Sequence, residues 1–138
     1  MTHDDYEAML ALMRGTEGVS LRAADSRKSI DRYLERNPGL SLVATSGEEV
    51  IGCVLCGHDG RRGYLHHLVV TPSYRGMGIG RVLVARALDG LAAEGILKIH
   101  IDVFADNHQA IAFWKAIGWD VRLDLVRMSI NLSGDRNA

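Results

Sequence analysis

Residues 69–80 of the chain read Val-Val-Thr-Pro-Ser-Tyr-Arg-Gly-Met-Gly-Ile-Gly. This order predicts a strand, a tight turn and a helix whose first turn carries few side chains. Free backbone N–H groups at a helix start, together with the positive end of the macrodipole, favour a phosphate group. Gly76, Gly78 and Gly80 let the main chain approach the anion, and Arg75 adds a positive charge. Each glycine costs roughly 1 kcal/mol relative to alanine in a helix, so a ligand explains three of them better than a turn alone.

Two better-known phosphate loops do not fit this segment. A P-loop continues from its last glycine with lysine and then serine or threonine, whereas Gly80 is followed by arginine and valine. The dinucleotide fingerprint has glycines at its first, third and sixth positions. Counted from Gly76, the sixth residue is Arg81. Counted from Gly78, it is Leu83. Residue identity therefore excludes both nucleotide interpretations.

The remaining pattern resembles a loop of the GNAT superfamily of N-acetyltransferases, which holds the pyrophosphate of coenzyme A. The matching residues are Arg75-x-x-Gly78-x-Gly80 after a strand that ends in Val-x-Pro. A second segment resembles the family's Asn-x-x-Ala-x-x-Phe-Tyr-x-x-x-Gly-Phe pattern, and it reads Asn107-x-x-Ala110-x-x-Phe113-Trp114-x-x-x-Gly118-Trp119. The two motifs stand in the family's order and separation, and the resemblance covers roughly residues 40–131. It implies acetyl-CoA as the cosubstrate and no metal.

The resemblance also implies roles for residues around the loop. In the family, the strand before the loop is bulged, and its unpaired main-chain groups bind the pantetheine arm and the thioester oxygen. Asn107 would bond the pantetheine or an adjacent main-chain group, and Trp114 would hold the sulfur by packing or hydrogen bonding. The implied cofactor-binding residues are Leu68, Val69, Val70, Arg75, Gly76, Met77, Gly78, Ile79, Gly80, Arg81, Asn107 and Trp114.

The general base is expected on the same strand. Deprotonation of an amine needs a group with a pKa near working pH, which favours histidine. His66 and His67 stand immediately before the expected bulge, and Tyr64 shares one face of the strand with His66. Some members of the family carry histidines on the equivalent strand, and others a glutamate. The candidate catalytic residues are His66, His67 and Tyr64, with His100 on the adjacent strand outside this set.

The general acid departs from the family pattern. The family commonly uses the tyrosine of its Phe-Tyr pair to protonate the departing thiolate, and this chain has Trp114 there. An indole N–H donates hydrogen bonds but is not a proton source. Three outcomes stay open: the thiolate leaves unprotonated, another group such as Tyr64 protonates it, or the protein is a weak catalyst.

Length and composition fit one domain. The chain has 138 residues, 47% of them apolar, which predicts a single core over residues 1–132 and a disordered tail at residues 133–138. The net charge of −1 gives no basic field for nucleic acid or an anionic membrane. We see no signal core and no membrane-span pattern, and therefore expect a cytoplasmic protein. Cys53 and Cys56 stand three apart in one predicted strand and so point to opposite faces, which predicts buried, reduced thiols.

Periodicity and turn residues predict nine elements. The predicted helices are residues 4–15, 26–36, 78–93 and 107–117, and the predicted strands are 41–45, 50–56, 64–70, 98–104 and 124–131. This order indicates an α/β fold of the α+β type, with a mixed, mostly antiparallel central sheet and helices on both faces. The resemblance implies a GNAT-like fold with a short strand before the first helix. This chain begins almost at the helix, so we expect that edge strand to be absent or rearranged.

The leading interpretation is an N-acetyltransferase that moves an acetyl group from acetyl-CoA to a primary amine. Direct transfer in a ternary complex is favoured, because no cysteine stands where a covalent relay would need one. The alternative is a non-catalytic acyl-CoA-binding or sensor domain, which Trp114 motivates. A third interpretation, acetylation of aminoacyl-tRNA, would require a basic surface that the net charge does not support. The acceptor amine is not identified, and the resemblance implies a homodimer through the C-terminal strand.

Overall fold

The computed structural model describes residues 1–16 and 18–138. Short 3-10 turns precede three of its helices, at His3–Asp5, Ala23–Asp25 and Pro72–Tyr74. The helices and strands, in chain order, are α1 Tyr6–Arg14, α2 Arg27–Arg36, β1 Leu42–Ser46, β2 Glu49–His58, β3 Gly63–Val70, α3 Ile79–Ala93, β4 Ile99–Ile101 and α4 His108–Ala116.

The four strands form one mixed sheet in the order β1-β2-β3-β4. The first two pairs are antiparallel and β3 pairs with β4 in parallel. That parallel ladder is short, since only residues 63–65 of β3 face residues 99–101 of β4. The predicted fold class is therefore confirmed, and the strand predicted at residues 98–104 is shorter than expected.

Helices cover both faces of the sheet, as predicted. The core cluster under α3 and α4 includes Leu83, Leu91 and Trp114, and the cluster under α1 and α2 includes Met9 and Ile30. The two cysteines lie in different clusters, Cys56 with α3 and Cys53 with α1. Burial raises the pKa of both thiols to about 12, so they stay protonated at neutral pH.

Local sequence explains where the helices begin and end. The Ser29 amide donates to the Ser26 hydroxyl oxygen over 3.2 Å, which caps α2 at the predicted position. At the C-terminal end of α3, Gly95 has φ 80° and its amide donates to the Ala92 carbonyl over 3.0 Å. The Ile96 amide donates to the Leu91 carbonyl over 3.0 Å, which completes a Schellman motif.

The strand predicted at residues 124–131 is wrong, because residues 120–138 contain no helix or strand. A strand needs a neighbouring edge to pair with, and β4, the nearest edge strand, ends after three residues. The segment approaches β4 through a side chain, with the Arg127 guanidinium 2.6 Å from the Asp102 carboxylate. Its large apolar residues are consequently exposed, including Leu123 at 91% and Met128 at 89%. At the tail, the Ala23 amide donates to the Asn137 carbonyl over 2.7 Å.

Residues 1–5 contain the short turn His3–Asp5 and no strand. Among the described helices, none combines the length and apolarity needed to cross a bilayer.

Candidate active site

A cleft of about 1090 Å³ opens where β3 and β4 part. The parallel ladder ends at the pair Leu65–Ile101, and beyond it the two main chains diverge. One wall of the cleft is formed by residues 66–70 of β3, and the other by residues 101–105, which begin at the last residue of β4. The glycine-rich loop and the start of α3 close one end of the cleft, and α4 lines it near Trp114.

The wall formed by β3 carries the expected bulge. Leu55 of β2 pairs with His66 and Cys53 pairs with Val69, so two residues of β3 stand opposite one residue of β2. His67, within the bulge, has φ 52° and is the one non-glycine residue with a positive φ among residues 1–16 and 18–138. Beyond the bulge, Val69 and Val70 pair with β2 again, and residues 68–70 line the cleft on the opposite side. Their main-chain groups on the cleft side are therefore not engaged by β4.

The loop between β3 and α3 leaves backbone amides free at the helix start. Gly76 and Gly78 have φ values of 80° and 81°, and a Cβ atom built on either would meet no atom within 4 Å. The first backbone hydrogen bond of α3 is donated by Val82 to the Gly78 carbonyl over 3.1 Å. The amides of residues 79–81 therefore have no backbone acceptor in the described chain. Such a helix start attracts a phosphate group.

Two arginines line the cleft beside these amides, Arg75 and Arg81. The Arg75 Nε–H donates to the Val70 carbonyl over 2.9 Å, which ties the loop to the end of β3. Met77, also predicted as a binding residue, does not line the cleft, and its side chain is largely exposed. Gly80 lies under α4, because an added Cβ would stand 3.6 Å from the Phe113 ring.

Helix α4 contributes Asn107 and Trp114. The Asn107 side-chain oxygen accepts from the Ala110 amide over 3.1 Å, so this side chain caps α4. Its Nδ2 group faces Gly18, in the loop between α1 and α2, where an added Cβ would come within 2.8 Å. Trp114 is 6% exposed and packs edge-to-face against Phe113 and Trp119. It lines the cleft as an apolar surface.

His66 is exposed to the cleft and packs between two tyrosines. Its ring stacks on Tyr64 with 6.4 Å between ring centroids, and Tyr33 meets it edge-on at 6.2 Å. Desolvation by the surrounding protein lowers the pKa of His66, and the charge of His67 lowers it further, against a smaller opposing effect of Asp102. The imidazole is therefore neutral at neutral pH, which is the form that accepts a proton.

Tyr64 lies away from the cleft wall, because His66 stands between it and the bulge. Its ring is 5.7 Å from that of His100 on β4. Neither Tyr64 nor His100 is among the residues that line the cleft. The structure thus brings His66 and His67 to the cleft and leaves Tyr64 behind them.

Sequence reasoning missed a partner of His67. Its Nε2 atom lies 2.9 Å from Oδ1 of Asp25, which belongs to the turn before α2 and is 8% exposed. Burial alone would raise the pKa of Asp25, but hydrogen bonds from His67 and from the Arg22 amide outweigh it and hold that pKa below its usual value. The two residues stand 42 positions apart, and no local pattern pairs them. The pair Asp102–Arg127 at the cleft was missed for the same reason.

No group of three or more metal-ligating side chains occurs in the described part of the chain.

Comparisons with known proteins identify relatives of this chain. The model of the acetyltransferase (GNAT) family matches residues 6–119. The chain is 35% identical over 134 residues to an acetyltransferase of Pectobacterium atrosepticum, covering 96% of this chain and 93% of the relative. It is 33% identical over 135 residues to an acetyltransferase of Sodalis glossinidius, covering 97% of this chain and 94% of the relative.

Solved structures share the fold at lower identity. The PaiA N-acetyltransferase of Thermoplasma acidophilum, in complex with coenzyme A, has a TM-score of 0.77 and 19% identity, covering 88% of this chain and 87% of that one. The apo aminoglycoside 6'-N-acetyltransferase AAC(6')-Ig of Acinetobacter haemolyticus has a TM-score of 0.69 and 18% identity, with 96% of each chain covered.

Proposed function

Since the chain belongs to the GNAT family of acetyltransferases, we propose that it transfers an acetyl group from acetyl-CoA to a primary amine by direct transfer in a ternary complex. The observation that carries the proposal is the cleft itself. It joins a bulged strand with free main-chain groups to a helix start with free amides. A thioester and a diphosphate at opposite ends of the pantetheine arm of one cosubstrate match these two features.

The residues present fit coenzyme A. Two glycines with positive φ and open space around them let a diphosphate reach the main chain, where the amides of residues 79–81 have no backbone acceptor. Arg75 and Arg81 add charge beside those amides. The main-chain edge of residues 68–70, which β4 does not pair, extends this surface toward His66. Acetyl-CoA supplies the activated acetyl group as a thioester.

The chemical roles follow from the positions of the chain's own groups. The neutral imidazole of His66 takes a proton from the substrate ammonium and leaves a nucleophilic amine. A main-chain N–H on the cleft side of residues 68–70 stabilises negative charge that develops on the thioester oxygen. The indole of Trp114 packs against the apolar end of the cleft and excludes water. The free amine attacks the thioester carbonyl and forms the carbon–nitrogen bond while the carbon–sulfur bond breaks. The attacking nitrogen loses its second proton to the departing thiolate, directly or through water, and His66 returns the first proton to solvent.

The test measures binding and turnover separately. Calorimetric titration with CoA is expected to give saturable heat, and acetyl-CoA with a panel of amines and peptides is expected to release free thiol. Absence of both results would refute the proposal. Saturable binding without turnover on any acceptor would support a non-catalytic acyl-CoA-binding domain instead.

The role of His66 has a matched control in His100, a histidine of the adjacent strand that does not line the cleft. Replacing His66→Gln is expected to lower kcat by about 10²–10⁴-fold with little change in CoA affinity, because general-base catalysis contributes that much. His100→Gln is expected to leave both quantities near wild type. The acidic limb of kcat/KM should lie below about pH 6.5 and vanish in His66→Gln. An unchanged limb would reject His66 as the base.

A further inference from the structure

We propose that Asp25 is a positioning residue for acyl transfer. Through its hydrogen bond with His67 it holds the bulge of β3 in the shape that presents the His66 ring and the main chain of residues 68–70 to the cleft. The inference rests on the proposed function, because it concerns how that site keeps its geometry. Asp25 itself does not line the cleft, whereas His67 does, so any effect of Asp25 on the reaction passes through His67.

The first observation is the backbone of His67. A φ of 52° places an L-residue with a Cβ atom in the left-handed region, which glycine adopts freely and other residues adopt at a cost. Residues in such conformations persist only where the surrounding structure fixes them. His67 has two tertiary contacts of this kind. Its side chain bonds Asp25 over 2.9 Å, and its carbonyl oxygen lies 3.7 Å from the Cys53 sulfur, which donates a weak hydrogen bond.

The second observation is that Asp25 is a fixed anchor. The Arg22 amide donates to its Oδ2 atom over 2.9 Å, and the Tyr6 hydroxyl donates to its carbonyl oxygen over 2.7 Å. Tyr6 belongs to the buried cluster under α1. Asp25 is therefore held by α1 through its main-chain carbonyl and by the Arg22 amide through its carboxylate, independently of the strand that it contacts.

The third observation is burial of the pair. The His67 and Asp25 side chains are 21% and 9% exposed, so water screens their attraction weakly. Removing either partner leaves the other desolvated without its counterpart, which makes such pairs sensitive to substitution. A contact of this kind can fix one backbone conformation among several.

The consequence reaches the cleft because of where His67 stands in the chain. The proposed base precedes it, and the main chain expected to bind the thioester follows it. A change of φ and ψ at residue 67 would reorient both groups together. The diphosphate end of the cleft, on the loop before α3, lies beyond β3 and would be little affected. Loss of the pair should therefore lower kcat more than it weakens CoA binding.

The experiment compares three substitutions with a matched control. Asp25→Asn removes the charge of the anchor and His67→Gly removes the ring but favours the observed φ, whereas His67→Ala removes the ring and disfavours that φ. The control is Asp31→Asn. Asp31 lies on the outer face of α2 and also contacts a histidine, with Oδ1 2.8 Å from Nδ1 of His3, but it does not line the cleft.

We expect Asp25→Asn to lower kcat about tenfold or more, the effect of losing one hydrogen bond to a charged group, with CoA affinity changed much less. His67→Gly should retain more activity than His67→Ala. The double variant Asp25→Asn/His67→Gly should be no worse than His67→Gly alone, because the two residues act as one unit. Asp31→Asn should match wild type.

Amide hydrogen exchange gives a readout that does not need turnover. In Asp25→Asn, exchange at residues 66–70 should accelerate while exchange in β1 stays at the wild-type rate, whereas general destabilisation would accelerate both. Wild-type kcat in Asp25→Asn, unchanged exchange in β3, or additive losses in the double variant would each overturn the proposal. If Asp25→Asn does not fold, the contrast between His67→Gly and His67→Ala decides it. A wild-type protein that neither binds CoA nor turns over would refute the proposed function instead, and the exchange comparison would still test the pair.

Discussion

Two glycines allow the cost of backbone strain to be separated from the cost of losing a ligand contact. Gly78 and Gly95 have φ values of 81° and 80°, and a Cβ atom added to either would meet nothing within 4 Å. Replacing Gly78→Ala or Gly95→Ala therefore imposes nearly the same strain, about 1–2 kcal/mol of unfolding free energy. The two glycines differ only in their position relative to the cleft. Gly78 precedes α3 and lines the cleft, and Gly95 follows α3 at its far end.

The effect on cosubstrate binding should separate the two variants. A methyl group on Gly78 projects into the open space that a diphosphate would occupy and holds it away from the neighbouring amides. Loss of one hydrogen bond to a charged group costs about 1.5–3 kcal/mol, which corresponds to roughly 10- to 150-fold in the Kd for CoA. Gly95→Ala changes nothing at the cleft, so its Kd should equal that of wild type.

Two measurements on the same protein samples check this expectation. Urea denaturation should give similar losses of unfolding free energy for the two variants, and calorimetric titration with CoA should show weakened binding for Gly78→Ala only. Equal CoA affinities in both variants would refute the placement of the diphosphate on the loop before α3. A loss of CoA affinity in Gly95→Ala would show that general destabilisation, rather than contact with the ligand, controls binding.

Four further predictions concern stability, the leaving group and association. A Cβ atom on Gly57 would stand 2.6 Å from both the Asn37 amide and the Tyr33 hydroxyl, so Gly57→Ala should lower the unfolding free energy by about 1–3 kcal/mol in urea denaturation. The control is Gly15→Ala, whose Cβ would come no closer than 3.7 Å to any atom and which should cost under about 0.5 kcal/mol. Equal losses of unfolding free energy in the two variants would contradict this reasoning. Because the pKa of Asp25 is lowered in the fold, its contacts stabilise the protein above its unfolded pKa of about 3.9, and this stabilisation is lost as pH falls through the lowered value. The difference in unfolding free energy between wild type and Asp25→Asn should therefore narrow below about pH 4. A difference that widens there would reject this linkage. Trp114→Tyr supplies a phenol that can protonate the thiolate, so stopped-flow thiol release should be faster than in wild type, and slower release would argue that the indole holds the sulfur. Val126 and Met128 are 86% and 89% exposed, and an exposed apolar segment of this kind favours self-association. Light scattering should give a dimer mass for wild type and a monomer mass for Val126→Ser/Met128→Ser. A monomer mass for wild type would refute the dimer.

Local patterns predicted most of the fold because each signal had a local physical cause. Alternation in β2 put Cys53 and Cys56 on opposite faces, and the structure places them in different layers. Ser26 and Gly95 marked helix ends because their capping hydrogen bonds span only a few residues. The strand prediction for residues 124–131 was wrong because an alternating pattern indicates which residues are apolar, but does not show whether a free sheet edge is available to pair with them.

The candidate site was predictable to a similar extent. The glycine loop is continuous in sequence and was identified from its residues, whereas the bulge of the preceding strand was expected only from the resemblance to the GNAT family. The contact between His67 and Asp25 joins residues 42 positions apart across two layers, so tertiary packing alone creates it. Tyr64 shares a strand face with His66, as alternation predicted, but the direction of that face relative to the cleft depends on the bulge.

The separation of the two thiols has a practical consequence. With a pKa of about 12, only about one in 10⁵ molecules of each thiol is ionised at neutral pH. Thiol reagents used to follow CoA release should therefore not react with the folded protein. The same residues then serve as built-in reporters of local opening. The rate of alkylation of Cys53 would report the exposure of the core under α1 and α2. The rate of alkylation of Cys56 would report the exposure of the core under α3 and α4. Peptide mapping of the labelled chain would show which side of the sheet uncovers first.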